Sequence, residues 1–104
     1  MDKNTLLATL KTLQPRYKQE GILLLGIFGS YARGEENATS DIDILIETTP
    51  KFLQTHVGFK AFVKLDAIKA ELEEVFKKKV DLVDRQGLQQ HNNTYILDNT
   101  LYVS

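Results

Sequence analysis

Apolar residues recur at helical spacing in two parts of the chain, near its start and in its second half. The first predicted helix covers about residues 2–19, and we expect Pro15 to kink it or to end it early. The second covers residues 60–79, where three closing lysines suit the negative end of a helix dipole. The two apolar stripes consist of Leu6, Leu10, Leu13 and Tyr17 in the first helix and of Phe62, Leu65, Ile68, Leu72, Val75 and Phe76 in the second.

Short apolar runs bounded by glycines or polar residues predict the strands. Residues 22–28 form a continuous apolar run between glycines, which is typical of a strand buried on both faces. Alternation of acidic and apolar residues predicts a second strand over residues 41–47, and residues 80–84 predict a short third strand. The remaining segments are residues 51–59, a loop or short helix, residues 85–98, a loop with a short helix, and residues 101–103, a small edge strand.

The order of these elements predicts the fold class. Helices alternate with strands along the chain, which favours a small α/β or α+β fold with a mixed β-sheet and helices packed on one face. A chain of 104 residues has the size of one domain, so we expect residues 1–104 to form a single unit.

Composition narrows the chemistry and the partners. The chain has no cysteine, which excludes a disulfide scaffold, a thiolate zinc site and a cysteine nucleophile. A formal net charge of −1 argues against a dedicated nucleic-acid binder, although it leaves a single nucleotide open as a ligand. No apolar run is long enough to span a membrane, and the start of the chain lacks the pattern of a signal peptide. We therefore expect a soluble cytoplasmic protein without membrane contact.

Two acids in the second predicted strand carry the first chemical signal. Side chains alternate along a strand, so Asp41 and Asp43 should project to the same side, with Cα atoms roughly 6.5 Å apart. The isoleucines at positions 42, 44 and 46 should then face the core. Two carboxylates on a mostly apolar strand repel each other, and a divalent cation is the simplest compensation. Oxygen ligands without histidine or cysteine favour Mg²⁺ or Mn²⁺ over zinc.

A third acid lies in the short third strand. Asp81 stands among valines and a leucine, and a strand pairing beside residues 41–47 would bring it next to the first two acids. A cluster of three carboxylates can hold two metal ions about 3.5–4 Å apart, an arrangement used for phosphoryl transfer.

A glycine and a serine follow the first predicted strand. Gly29 lets the backbone approach a phosphate closely, and the Ser30 hydroxyl can donate a hydrogen bond to it. Backbone N–H groups at such a strand-to-helix turn also point towards an anion. A phosphate-binding turn opposite a metal cluster is the arrangement that binds a nucleoside triphosphate.

Three segments together resemble the signature of the minimal nucleotidyltransferases, within the DNA polymerase beta-like nucleotidyltransferase superfamily. They are GSYARG at residues 29–34, SDIDILI at residues 40–46 and VDLV at residues 80–83. The resemblance extends over nearly the whole chain and implies the nucleotidyltransferase fold.

The same resemblance implies a role for each residue of the signature. It implies two Mg²⁺ ions and ATP as the substrate. Arg33 belongs to the motif, and we expect it to support the nucleotide-binding loop or to pair with a carboxylate. The implied roles are metal binding for Asp41, Asp43 and Asp81, activation of the acceptor hydroxyl for Asp81, and binding of the nucleotide phosphates for Gly29 and Ser30.

Many members of this family are antitoxins that silence a HEPN ribonuclease toxin by transferring AMP from ATP to a tyrosine. The resemblance therefore implies a type VII toxin–antitoxin system with a HEPN toxin as the partner. We expect a chain this short to have no second domain for an acceptor, which suits a protein that docks at the site itself. Two alternatives stay open: an antitoxin that acts by stoichiometric binding without catalysis, and a nucleotidyltransferase that acts on a small molecule.

Plainer structural explanations also stay open for these residues. The acid pair could lie on an exposed edge strand, Gly29–Ser30 could be an ordinary strand-to-helix turn, and Asp81 could pair with a lysine. Asp84 is an odd number of residues from Asp81, so we expect it to face the other way. The two histidines, His56 and His91, are expected at the surface.

Overall fold

The computed structural model describes residues 2–90 and 94–103, and its strands form one mixed sheet in the order β3-β2-β1-β4. The central strand β1 pairs antiparallel with β2 and with β4, whereas β2 and β3 run parallel. This confirms the prediction of a mixed sheet. The strands are β1 (Ile22–Phe28), β2 (Ile42–Thr48), β3 (Val80–Asp84) and β4 (Leu101–Tyr102).

Helices occupy most of the chain between and around these strands. In residues 2–90 and 94–103, no helix combines the length and the apolar character that crossing a membrane requires. The half-buried His56 stacks on Phe52 with ring centroids 4.7 Å apart, and His91 lies outside the described residues. The helices are α1 (Lys3–Gln19), α2 (Gly29–Arg33), α3 (Pro50–Thr55), α4 (Phe59–Phe76), α5 (Arg85–Gln90) and α6 (Thr94–Asp98).

Helix α1 runs unbroken through its proline. The Asp2 carboxylate caps its first turn by accepting a 2.9 Å hydrogen bond from the Thr5 N–H. Pro15 lies inside the helix, which continues to Gln19, so the prediction of an early end is wrong. The free energy gained by burying Leu10 and Tyr17, on either side of the proline, outweighs the loss of the backbone hydrogen bond that Pro15 cannot donate. The buried residues of α1 are Leu6, Leu10 and Tyr17.

The main core lies between one face of the sheet and the helices α1 and α4. Ile42, Ile44 and Ile46 are at most 1% exposed and face this core, as their spacing predicts. The other face of β2 is less uniform, since it carries the half-buried Asp43 and the fully buried Leu45. Helix α5 contacts β2 and β3. In β1, buried residues are interspersed with half-buried ones. The prediction that β1 is buried on both faces is therefore wrong for its partly exposed side.

Helix α4 buries a narrower stripe than its sequence predicts. Phe62 is 69% exposed and Val75 is 48% exposed. At 3.6 residues per turn, these two side chains lie on opposite margins of an arc centred on Leu72, and the sheet covers only the middle of that arc. The helix also ends at Phe76, because Lys77 adopts a left-handed conformation with φ of 57°. The fully or nearly buried residues of α4 are Ile68, Leu72 and Phe76.

Candidate active site

The register of the sheet brings two of the predicted acids together. In the parallel pairing of β2 with β3, the residue opposite Asp43 is Asp81. Register partners in neighbouring strands project to the same face of a sheet. On its other side Asp43 is the partner of Phe28, the last residue of β1. Asp43 thus lies between Asp81 and the point where the chain leaves β1.

The third predicted acid, Asp41, lies one residue before β2 rather than inside it. The strand begins at Ile42, whose N–H donates a 2.9 Å hydrogen bond to the carbonyl of Lys79. Asp41 is exposed, yet its charge is close enough to raise the pKa of Asp43. The carboxylate of Asp41 therefore belongs to the electrostatic environment of Asp43, at the solvent side of the site.

Asp43 is the most perturbed acid of the site. Its pKa is raised from 3.8 to about 6, chiefly by burial and then by the negative charges of Asp81 and Asp41. The Arg33 guanidinium acts in the opposite direction, lowering the pKa of Asp43. Strong perturbation by burial and by like charges is common at functional sites. A carboxylate in this position gains most from a nearby cation.

Gly29 makes a close backbone approach to this carboxylate. Its φ is +71°, and a Cβ atom placed on it would collide with the Oδ2 atom of Asp43. A side chain at this position would be strained by the backbone conformation and would also displace the acid. The structure thus brings the predicted phosphate-binding turn against the predicted metal-binding residue.

Ser30 and Arg33 lie in the short helix α2, directly after this turn. Ser30 is half-buried, and its carbonyl accepts a 2.9 Å hydrogen bond from the Glu35 N–H. The Arg33 Nε atom donates to the Glu35 carboxylate at 3.2 Å, so Arg33 pairs with an acid of its own loop. Tyr31 is 1% exposed and packs in the core, which anchors the helix.

The loop between α2 and β2 is held by lysines that follow α4. Lys78 Nζ donates a 3.0 Å hydrogen bond to the carbonyl of Ala38, and the Lys79 carbonyl accepts from the first residue of β2. Sequence reasoning missed this contact, because it assigned the lysine run to a helix end. Only the pairing of β3 beside β2 brings the run to the loop, and no local pattern signals that pairing.

Asp84, the competing acid of β3, has a structural role. Its Oδ2 atom accepts a 2.9 Å hydrogen bond from the Thr48 hydroxyl, and its Oδ1 atom accepts one from the Gln86 N–H. These bonds fix the end of β2 and the start of α5. Asp81 has no such structural hydrogen bond among those of the described chain, so it is the β3 acid that is available to the site.

The oxygen donors of the site fit a magnesium ion that is bound partly by the protein and partly by a substrate. Across residues 2–90 and 94–103, no three acidic or histidine side chains are grouped so that they could enclose a metal ion. Asp41 and Asp81 are both exposed, whereas Asp43 is half-buried. Magnesium, however, is usually bound by one or two carboxylates together with waters and substrate phosphates. The adjacent Asp43 and Asp81 supply that number of oxygen donors.

Comparison with known proteins identifies the family. The family model described as "Nucleotidyltransferase domain" matches residues 5–103. "Protein adenylyltransferase MntA" of Thermococcus cleftensis is 33% identical over 103 residues, covering 97% of this chain and 91% of the relative. "Putative protein adenylyltransferase MJ0435" of Methanocaldococcus jannaschii is 42% identical over 89 residues, covering 86% and 87% of the two chains.

A solved structure supports the same assignment. The chain called "Structure of putative minimal nucleotidyltransferase" superposes with a TM-score of 0.72 and 26% identity, covering 97% of this chain and 95% of the other. The chain combines the strand order β3-β2-β1-β4 with the close approach of Gly29 to Asp43 and with the pairing of Asp43 and Asp81 in neighbouring strands. The chain therefore belongs to the nucleotidyltransferase domain family, and its fold matches that of a minimal nucleotidyltransferase.

Proposed function

We propose that this nucleotidyltransferase is a protein adenylyltransferase. It transfers AMP from ATP, with Mg²⁺, to a tyrosine hydroxyl of a HEPN ribonuclease toxin, and so acts as the cytoplasmic antitoxin of a type VII toxin–antitoxin pair. The observation that carries the proposal is the adjacency of Asp43 and Asp81 beside the Gly29 turn. One relative is named a protein adenylyltransferase and the other a putative protein adenylyltransferase, and these names support a protein as the acceptor.

The carboxylates of the site would hold the metal. Asp43 and the adjacent Asp81 would bind it together with Asp41, and both Asp81 and Asp41 are exposed. When bound, two Mg²⁺ ions neutralise charge on the triphosphate and on the leaving pyrophosphate. Because the pKa of Asp43 is raised only to about 6, this acid is ionised and able to bind a cation at neutral pH.

The other residues position the reactants. Gly29 and Ser30 bind the phosphates at the turn, and Arg33 keeps its loop in place through Glu35. The hydroxyl oxygen of the acceptor attacks the α-phosphorus, and the bond from that phosphorus to the pyrophosphate oxygen breaks. Asp81 receives the hydroxyl proton or orients the hydroxyl as a metal ligand.

Radiolabelled ATP tests this proposal. We expect the wild-type chain to label its HEPN partner, and the double variant Asp41→Asn with Asp43→Asn to lose labelling by about a thousandfold. Glu47→Gln is the matched control, because it removes a half-buried acid farther along the same strand. Thermal unfolding of each variant verifies the fold. Labelling by the double variant at the wild-type rate would contradict the metal-binding role.

The mass of the co-expressed partner separates catalysis from binding alone. Several large apolar side chains are exposed around α3 and α4, which favours a protein partner in either case. A partner mass raised by one or more AMP units supports the enzyme. A neutralised partner of unchanged mass identifies stoichiometric occlusion instead. The exposed apolar side chains that we assign to the partner surface are Leu53 and Phe62, which lie at the edge of the sheet.

A further inference from the structure

A groove follows the outer edge of the sheet beside the proposed site. Strand β3 ends the sheet, and its strand neighbour in the described chain is β2. Two cavities of about 260 and 290 Å³ lie between this edge and α4. Both are lined by Phe62 and Leu65, which join them into one groove. We call this the edge groove, and its β3 residues are Asp81, Leu82 and Asp84.

The edge groove has the properties of a surface that binds an extended chain. A strand at the end of a sheet offers backbone N–H and C=O groups to a further strand. In β3 the Val80 N–H already donates a 3.0 Å hydrogen bond to the Glu73 carboxylate, so the groups on offer lie beyond Val80. Recognition by strand addition combines those hydrogen bonds with pockets for alternate side chains. Phe62 supplies an exposed aromatic ring at the junction of the two cavities, and aromatic rings are the side chains that most often dominate binding.

The size and position of the first cavity indicate what enters it. At about 260 Å³ it is smaller than the roughly 300–1,000 Å³ of pockets that hold drug-sized ligands, so it suits one side chain better than a whole nucleotide. Asp81 lines it together with Phe62, and Asp66 and Lys69 give it a polar border. The cavity therefore adjoins the acid that we place next to the acceptor hydroxyl.

We propose that the edge groove binds the segment of the acceptor protein that carries the reactive hydroxyl, as an extended strand along β3. One side chain of the bound strand packs against Phe62 on the α4 side, and the reactive residue next to it projects to the other face of the sheet, where its hydroxyl reaches Asp81. The hydroxyl oxygen then bonds to the α-phosphorus of ATP, the bond from that phosphorus to the pyrophosphate oxygen breaks, and the hydroxyl proton passes to the Asp81 carboxylate. This inference rests on the proposed function and assigns specificity for the acceptor to Phe62.

A neighbouring aromatic residue provides a matched control. Phe59 is 80% exposed on the same helix, and its ring centroid lies 6.4 Å from that of Phe62. It lines a different cavity, together with Lys60 and Val63, which includes no residue of β3. Substitution at either position removes an exposed phenyl ring from the same helix, but only the ring of Phe62 lines the edge groove.

Single cysteines test where the partner binds. Because the native chain has no cysteine, Phe62→Cys and Phe59→Cys each introduce one unique thiol. We expect the bound HEPN-domain partner to slow alkylation by N-ethylmaleimide at least tenfold at position 62 and less than twofold at position 59. Equal protection of the two thiols, in a preparation that transfers AMP, overturns this inference and leaves the proposed function standing.

Steady-state kinetics test the role in the reaction. Phe62→Ser should raise the KM for the protein acceptor about tenfold with kcat nearly unchanged, because the ring contributes uniform binding. The KM and kcat of Phe59→Ser should both stay within about twofold of the wild-type values. A KM that Phe62→Ser leaves unchanged also overturns the inference. If the wild-type chain transfers no AMP but position 62 is selectively protected, the proposed function fails and the edge groove stands as the docking surface.

Discussion

On one face of β2, Ile42, Ile44 and Ile46 are almost completely buried against the helices, whereas Asp43 on the other face keeps a half-buried carboxylate with a raised pKa. The first face gains free energy from burial. The second face holds a charge that burial disfavours and that a bound cation would stabilise. At the start of β2, alternation thus separates the residues that stabilise the fold from the acid proposed to carry the chemistry.

The largest expected difference between the two faces concerns stability. Ile44→Ala should lower the free energy of unfolding by about 3 kcal/mol, because it leaves a cavity in the core. Asp43→Ala, the next residue on the same strand, should leave that free energy unchanged or raise it at neutral pH. Urea denaturation of both variants measures the contrast. Equal destabilisation by the two substitutions would show that the two faces do not differ.

Two glycines with the same backbone conformation sharpen the comparison at the site. Gly29 and Gly34 have φ values of +71° and +72°, but only at Gly29 would a Cβ atom meet a neighbour, the Asp43 carboxylate. Alanine at either position should cost about 1 kcal/mol of stability. Only Gly29→Ala should also reduce AMP transfer, by about a hundredfold, since it displaces Asp43. Transfer rates and thermal unfolding of both variants decide this, and comparable activity of the two would contradict the close approach.

The smallest expected effect concerns the pH dependence of stability. The folded pKa of Asp43, about 6, lies above its ordinary value of 3.8, so the folded chain holds this proton more tightly than the unfolded chain does. The contribution of Asp43 is therefore most favourable below about pH 4 and is lost as the pH rises through about 6. At about pH 8, Asp43→Asn should be more stable than the wild type by about 1 kcal/mol, after allowance for solvent screening.

Denaturation with urea at several pH values, in the presence of EDTA, measures this effect. The difference between Asp43→Asn and the wild type should disappear as the pH falls below about 4, where the wild-type carboxyl becomes protonated in both the folded and the unfolded state. Asp41→Asn is the control, because Asp41 is exposed and should give a smaller difference. If Asp43→Asn is less stable than the wild type at about pH 8, the proposed cost of the buried Asp43 charge is wrong.

Much of this arrangement could be predicted from local patterns in the sequence. The bounds of β1 and β3, the inward isoleucines of β2 and the spacing of the acids all follow from alternation and from bounding glycines. The start of β2 at Ile42 instead of Asp41 is a shift of one residue, and backbone pairing with Lys79 determines it. Local patterns hold wherever one face is continuously buried.

The remainder depends on contacts between distant parts of the chain. The sequence could not show that the sheet covers only the centre of the α4 stripe, which leaves Phe62 and Val75 exposed. It could not show that Pro15 would be tolerated within α1, because that depends on packing against the sheet. The contact between Gly29 and Asp43 likewise follows from the β1–β2 register, although the sequence alone assigns Gly29 to a phosphate-binding turn.

A crystal structure with Mg²⁺ and a non-hydrolysable ATP analogue tests the central claim most directly. We predict metal density contacting the carboxylates of Asp43 and Asp81, with the triphosphate extending from the metal to the backbone of Gly29 and Ser30. A nucleotide bound elsewhere on the chain, or a metal ion that contacts neither Asp43 nor Asp81, would contradict the claim.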